Sequence, residues 1–240
     1  MDEVQNLDAW APQVKHLVDN HRLHLLVTGS SSLRIEAGRD SLAGRITSID
    51  LGPLLLREIA HLRFGYVSTP AWSENGTNSV SSPDFWLEAV ELSRRESEPR
   101  QKAFAAFSEL RATWLQEVVP LDPLILSSEP HLYDLAGHMA ESTLGYFLAS
   151  IPNLDLAHFP ERGAEPEVDF ILTVGPRRIP VEVKYRRRID PHEDTRGLRA
   201  FLEKTVYNAP FGLLVTQNDD VMVPDPRIIP ISLSSFLWLR

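Results

Sequence analysis

Residues 167–185 read EVDFILTVGPRRIPVEVKY. Two alternating runs flank Gly175-Pro176, a pair that favours a tight turn. In the first, Val168, Phe170, Leu172 and Val174 alternate with Asp169, Ile171 and Thr173. In the second, Ile179, Val181, Val183 and Tyr185 alternate with Pro180, Glu182 and Lys184. A period of two marks half-buried strands, so the stretch predicts a hairpin. A turn centred on Pro176-Arg177 pairs Val174 with Ile179, Leu172 with Val181, Phe170 with Val183 and Val168 with Tyr185. That register sets Asp169 opposite Lys184, with Glu182 on the diagonal. Opposed Cβ atoms lie roughly 5 Å apart and diagonal ones roughly 7–8 Å apart. An Asp, a Glu and a Lys are thus expected on one face of a hairpin whose other face is apolar.

Working outward, residues 131–150 predict a helix buried through Leu132, Leu135, Ala136, Met139, Thr143 and Phe147. Glu141 flanks that stripe, with Gly137 and Gly145 four residues to either side, where small neighbours admit a close approach. A strand is expected near 154–159. After the hairpin come a helix over 195–207 with Leu198, Phe201, Leu202 and Val206 inward, a strand over 211–216, a further strand over 227–231 and a short apolar terminal helix. Helix, three strands, helix, strand is an α/β order.

Towards the N-terminus, residues 7–20 carry apolar side chains at helical spacing. Residues 23–28, LHLLVT, read as a buried strand ending in Gly29-Ser30-Ser31-Ser32. An alternating strand is expected over 46–51 and a helix near Pro53. Residues 65–83, rich in Ser, Thr, Asn, Gly and Pro, predict an exposed loop. Two helical segments over 84–118 are separated by Arg94, Arg95, Glu96 and Glu98. Pro120-Leu121-Asp122-Pro123 and Ser127–Pro130 punctuate the chain and place a boundary near 125–130.

The N-terminal pattern resembles a large prokaryotic family that joins an AAA-type P-loop ATPase domain to a C-terminal domain of poorly known function. The matching residues are Asp2-Glu3-Val4-Gln5, the strand leading into Thr28-Gly29-Ser30-Ser31-Ser32, and Ser41-Leu42-Ala43-Gly44-Arg45. The resemblance implies that Asp2 and Glu3 close a Walker B strand, that Thr28 and Ser30 sense a γ-phosphate, and that Arg45 contacts phosphate. A P-loop requires G-x-x-x-x-G-K-[ST], yet no Gly-Lys dipeptide occurs in the chain. The Walker A half would lie upstream of Met1, and no ATP hydrolysis is expected from this chain alone.

The C-terminal order, with Glu141 on the helix, Asp169 on the second strand and Glu182-x-Lys184 on the third, is similar to the PD-(D/E)XK, or restriction-endonuclease-like, fold. The expected fold class is therefore α/β, with a partial P-loop/AAA-type core over 1–62, a loop and helical subdomain over 63–128 and a nuclease-like domain over 129–240. The resemblance implies that Asp169 and Glu182 ligate Mg²⁺, that Glu141 adds a ligand or holds a metal-bound water, and that Lys184 orients the attacking water or balances phosphate charge. Arg186, Arg187 and Arg188 would meet a nucleic-acid backbone, with DNA favoured. The bland reading is a stabilising cross-strand Asp–Lys pair worth roughly 0.2–1 kcal/mol.

Composition narrows the rest. The chain has 240 residues, 43% of them hydrophobic, a formal net charge of −9 and no cysteine. A sizeable core is expected, and a disulfide framework and a thiolate metal site are excluded. No apolar run is long enough to span a bilayer and the acidic start is unlike a signal peptide, so a cytoplasmic protein is expected. Three readings follow: a metal-dependent nuclease-like protein, a non-catalytic nucleic-acid-binding or regulatory protein, and an ATPase piece whose phosphate loop is encoded upstream. Substrate and oligomeric state stay open.

Overall fold

The computed structural model describes residues 4–29, 42, 45, 47, 54–72, 79–114, 121–151, 153–160 and 166–240. The chain divides into two compact units, Met1–Gly52 and Pro53–Arg240.

In the first unit a 3₁₀ turn, Val4–Asn6, precedes helix α1, Trp10–Asn20. The helix buries Trp10, Ala11 and Val14 in a small cluster with Val4 and Leu42. The segment expected as a buried strand forms no strand among the described residues, and Leu26 is 75% exposed. Its backbone reaches Val4, whose N–H donates to the Thr28 carbonyl at 3.1 Å. Among the described residues of this unit no strand lies beside LHLLVT; Leu25 and Val27 are half-buried against the Val4–Trp10–Val14 cluster, while Leu26 faces outward. Apart from Thr47, the strand expected over 46–51 lies outside the described residues.

The second unit begins with three helices. Helix α2, Leu56–Phe64, starts where Glu58 accepts from the Leu55 N–H at 2.7 Å. It ends at Gly65, whose φ of 67° is the left-handed stop that glycine adopts without a Cβ penalty. Helix α3, Pro83–Arg95, is capped by Ser82, which accepts from the Asp84 N–H, with proline at the first turn where no N–H is needed. Helix α4, Ser97–Trp114, follows after Glu96 alone. The broad break expected at 94–98 is thus a single residue. The Glu96 carboxylate accepts from Ser68 at 2.8 Å, Tyr66 at 3.1 Å and the Trp238 indole N–H at 2.7 Å, and pairs with Arg57. A short α5, Pro123–Leu126, leads to α6, Tyr133–Ala149.

Five strands form one mixed sheet in the order β1-β2-β3-β4-β5. They are β1 Asp155–Phe159, β2 Val168–Val174, β3 Arg177–Lys184, β4 Gly212–Thr216 and β5 Ile228–Ser232. The first three pair antiparallel, and β3, β4 and β5 pair parallel. Helix α7, Arg196–Leu202, makes the crossover from β3 to β4 that a parallel pair requires. The chain closes with α8, Leu233–Leu237. Helix α6 covers one sheet face: Ala140, Leu144 and Phe147 share a core with Leu172, Ile179, Val181, Leu213 and Ile231. Helix α7 covers the other, with Leu198, Phe201 and Leu202 against Val168, Ile171, Leu214 and Ile228. Burying both faces explains the unbroken apolar run Leu213-Leu214-Val215 of β4. Two expected core positions are not buried: Leu135 is 50% and Val206 79% exposed. Leu135 sits on the outer side of α6, and Val206 lies in a 3₁₀ turn, Thr205–Tyr207, beyond the end of α7.

The hairpin register departs from expectation. Val174 pairs with Arg177, Leu172 with Ile179 and Phe170 with Val181. The loop is therefore Gly175-Pro176 alone, with Gly175 at φ 59°. Two-residue hairpin loops favour positive φ at their first position because that twist matches the flanking strands. The shift is two residues, an even number, so alternation is kept while partners change; Val168, at the start of β2, is the exception and packs with Ile171 on the α7 side instead of with Leu172. Carried one pair further, the register sets Asp169 against Glu182 rather than Lys184.

One buried polar group ties the helices to the end of the sheet. Arg100 of α4 is fully buried. Its guanidinium donates to Asp219 (3.1 Å to Oδ1), Ser234 (2.7 Å) and Ser235 (2.6 Å). Ser232 and Ser235 also donate to Asp219. These hydrogen bonds hold the Asp219 carboxyl below its usual range despite its burial.

Candidate functional site

The site is built where β2 starts and β3 ends. Asp169 and Glu182 share the strand face covered by α7, and Lys184 follows Glu182 on that face. The Asp169 carboxylate accepts from the Val183 N–H at 2.7 Å, which fixes it across the strand pair. The Lys184 ammonium donates to Glu182 Oε1 and pairs with it. Glu182 is only 7% exposed, and its Oε2 is buried without a hydrogen-bond partner. Gly197 of α7 explains the enclosure: a Cβ there would stand 3.5 Å from Glu182 Oε2 and 2.5 Å from the Glu167 carbonyl oxygen. Glycine is what lets α7 close over the cluster.

Burial disfavours the charged form of each carboxylate. Glu182 is pushed up to about 7, first by burial and then by the Asp169 charge, with Lys184 opposing. Asp169 is raised by burial against the pull of the Val183 N–H and Lys184. Glu141 of α6 is raised by burial and next by Asp169, so it lies within electrostatic reach of the pair. Of its two glycine neighbours, Gly145 takes the Phe170 ring, 3.1 Å from where a Cβ would be, while Gly137 faces open space.

Sequence reasoning missed His158 and Glu167. The Nδ1 of His158 on β1 lies 3.1 Å from the Asp169 carbonyl oxygen, and its Nε2 lies 3.3 Å from Glu167. Only the β1–β2 pairing brings His158 there, and no local pattern encodes it.

The basic run after β3 is not uniform. Arg186 pairs with Asp194, which is 4% exposed, whereas Arg187 and Arg188 are exposed. At the far end of the hairpin, Arg177 donates to the Ser81 carbonyl at 2.9 Å and Arg178 lies over the Tyr207 ring. In the N-terminal unit, Arg45 pairs with Asp19 at 2.7 Å and the Thr28 carbonyl accepts from Val4. Asp2, Glu3 and Ser30 lie outside the described residues.

Residues 1–60 match the family model described as an AAA domain. The N-terminal region is similar to an AAA domain. Residues 137–236 match a second family model, a domain of unknown function (DUF4143), which spans α6 to α8 and contains every residue of the cluster. No curated protein and no solved structure matches the chain. Among the described residues no helix is long and apolar enough to cross a membrane.

The resemblance implies a divalent cation at this cluster. Among the described residues no group of three or more His, Asp or Glu side chains is arranged to hold a metal ion. Mg²⁺, however, keeps several waters and commonly uses only one or two carboxylates plus substrate phosphate oxygens. Two carboxylates suffice on that count, and the unpartnered Glu182 Oε2 is the kind of hard oxygen a cation would satisfy.

Proposed function

We propose that residues 129–240 form a restriction-endonuclease-like domain that hydrolyses phosphodiester bonds of nucleic acid. The observation that carries the reading is the buried Glu182 carboxylate, across the strands from Asp169, paired with Lys184 and keeping one oxygen without a partner. The order α6-β1-β2-β3-α7-β4 and the antiparallel-then-parallel pairing support it. An unsatisfied buried acceptor costs about 1–3 kcal/mol, so a ligand that completes it gains that much. Asp169 and Glu182 would hold Mg²⁺, with Glu141 close enough to bear on the same charge. Bound there, the ion supplies polarisation of the phosphate and a lowered water pKa. Lys184 offers a positive charge to the phosphate, and the Val183 N–H keeps Asp169 aimed.

The AAA-type region adds an ATPase-related context. Without G-x-x-x-x-G-K-[ST] in the chain, its role here is one of association with nucleotide chemistry rather than hydrolysis by these residues alone.

One observation favours a second reading. The Lys184–Glu182 pair already neutralises one donor, as it would in a scaffold that binds nucleic acid without cutting it. Incubating the full chain with duplex and single-stranded DNA in Mg²⁺ or Mn²⁺ separates the two. Wild-type cleavage that is lost in both Asp169→Ala and Lys184→Ala supports hydrolysis. Equal background activity in all three proteins defeats it.

A further inference from the structure

The loop that follows the candidate site is built more tightly than an exposed arginine run requires. Asp190 Oδ1 accepts from the His192 N–H at 2.8 Å and the Glu193 N–H at 2.9 Å. Asp194 Oδ2 accepts from the Asp190 N–H at 2.8 Å, and its other oxygen takes Arg186. Thr195 Oγ1 donates to the Pro191 carbonyl at 2.6 Å, and Arg199 of α7 donates to the His192 carbonyl at 2.7 Å. Asn218, beyond β4, donates to the Arg187 carbonyl at 3.4 Å. The loop is thereby fastened to itself, to α7 and to the end of the sheet. Arg187 and Arg188 stand exposed on this frame, and their side chains form no hydrogen bond or ion pair among the described residues. The loop leaves β3 directly after Lys184, whose carbonyl accepts from the Arg186 N–H at 3.0 Å.

Two jobs are therefore separated within three consecutive arginines. Arg186 satisfies a nearly buried carboxylate. Arg187 and Arg188 carry ten N–H donors that no described residue takes, three and four residues after Lys184 in the chain. The chain as a whole is acidic, with a net charge of −9, so a polyanion would be admitted only where cations are fixed locally. Holding the backbone in place lowers the ordering cost of each contact.

We propose that residues 186–195 form a preorganised phosphate clamp, in which Arg187 and Arg188 contact the DNA backbone and Arg186 with Asp194 is a positioning pair. The proposal deepens the nucleic-acid reading above and rests on it. It reassigns Arg186, because an arginine spent on a buried carboxylate is not free for phosphate.

The test is the salt dependence of binding to a short duplex DNA by the full chain, in EDTA so that no cleavage intrudes. Each phosphate contact contributes about 0.9 to the slope of log K against log salt. Arg187→Ala and Arg188→Ala should each lower that slope by about 0.9, which is about tenfold weaker binding at 0.1 M salt relative to 1 M. Arg186→Ala should leave the slope unchanged and weaken binding by loosening the loop. Asp194→Asn is the deciding variant. If Arg186 only positions, Asp194→Asn weakens binding as Arg186→Ala does, and the double variant is no worse than either single one. If Arg186 contacts phosphate, Asp194→Asn frees it and strengthens binding, and Arg186→Ala lowers the slope; either result overturns the clamp. Wild-type binding without DNA cleavage in Mg²⁺ removes the hydrolysis reading and leaves the clamp standing. Absence of salt-dependent binding by wild type overturns the clamp itself.

Discussion

Replacing Glu182 by Gln keeps the shape of the side chain and removes its charge. The folded chain holds this carboxyl at about 7 because it is buried and faces Asp169. An unfolded Glu titrates near 4.3. The unfolded state therefore releases its proton at lower pH than the folded state. Between those values the folded protein binds more protons, so stability falls as pH rises and levels off above about 7. The span from pH 5 to pH 8 should cost wild type about 2–3 kcal/mol at this site, at 1.36 kcal/mol per pKa unit. At pH 5 the folded Glu182 is protonated and meets Lys184 without an ion pair, so the pair's pH-dependent part is already contained in the raised value; the raised Asp169 and Glu141 are present in both proteins, so the difference between proteins isolates Glu182. Urea unfolding of each full chain in EDTA, followed by the fluorescence of the buried Trp72, Trp86 and Trp238, gives the four stabilities. The variant should lose about 2–3 kcal/mol less than wild type on going from pH 5 to pH 8. Equal losses in the two proteins would refute the burial of a strained carboxylate at this position.

Other sites give sharper structural tests. Asp219→Ala strands the fully buried Arg100 and should cost about 3–5 kcal/mol in urea unfolding, whereas a loss below 1 kcal/mol would mean that Arg100 finds water instead. Gly197→Ala puts a methyl group 2.5 Å from the Glu167 carbonyl oxygen and should destabilise by about 1–3 kcal/mol, with amide exchange speeding up first in α7. Tyr185→Phe leaves the Leu121 carbonyl without its hydroxyl donor and should cost about 1–3 kcal/mol; an unchanged urea midpoint would show that another donor reaches that carbonyl.

The strands and their order along the chain were largely readable, because alternation and length mark strands, and Asp169 and Glu182 fell on two neighbouring ones. Alternation also fixed the face of the hairpin residues other than Val168, which packs with Ile171 rather than with Leu172. It could not fix the pairing offset, since a shift of two preserves each face. The loop length decided that, and Gly175 was the clue: a positive φ at the first of two loop residues closes the hairpin one residue earlier. LHLLVT shows a different limit. An apolar run reports a demand for cover, and among the described residues only Leu25 and Val27 receive it, while Leu23 and Leu26 stay exposed. The partners of Arg100, 119 to 135 residues away in sequence, and the approach of His158 to Asp169 depend on how elements pack. No local pattern carries that information. Arg186 looked like its two neighbours until the fold brought Asp194 beside it.

The central claim is that Asp169 and Glu182 together hold a divalent cation. Titration of the full chain with Mn²⁺, read by the electron spin resonance of the free ion, tests it without requiring any substrate. Wild type should bind one ion that Mg²⁺ displaces, and both Asp169→Ala and Glu182→Gln should abolish that site. No binding by wild type, or binding that survives both substitutions, would contradict the account.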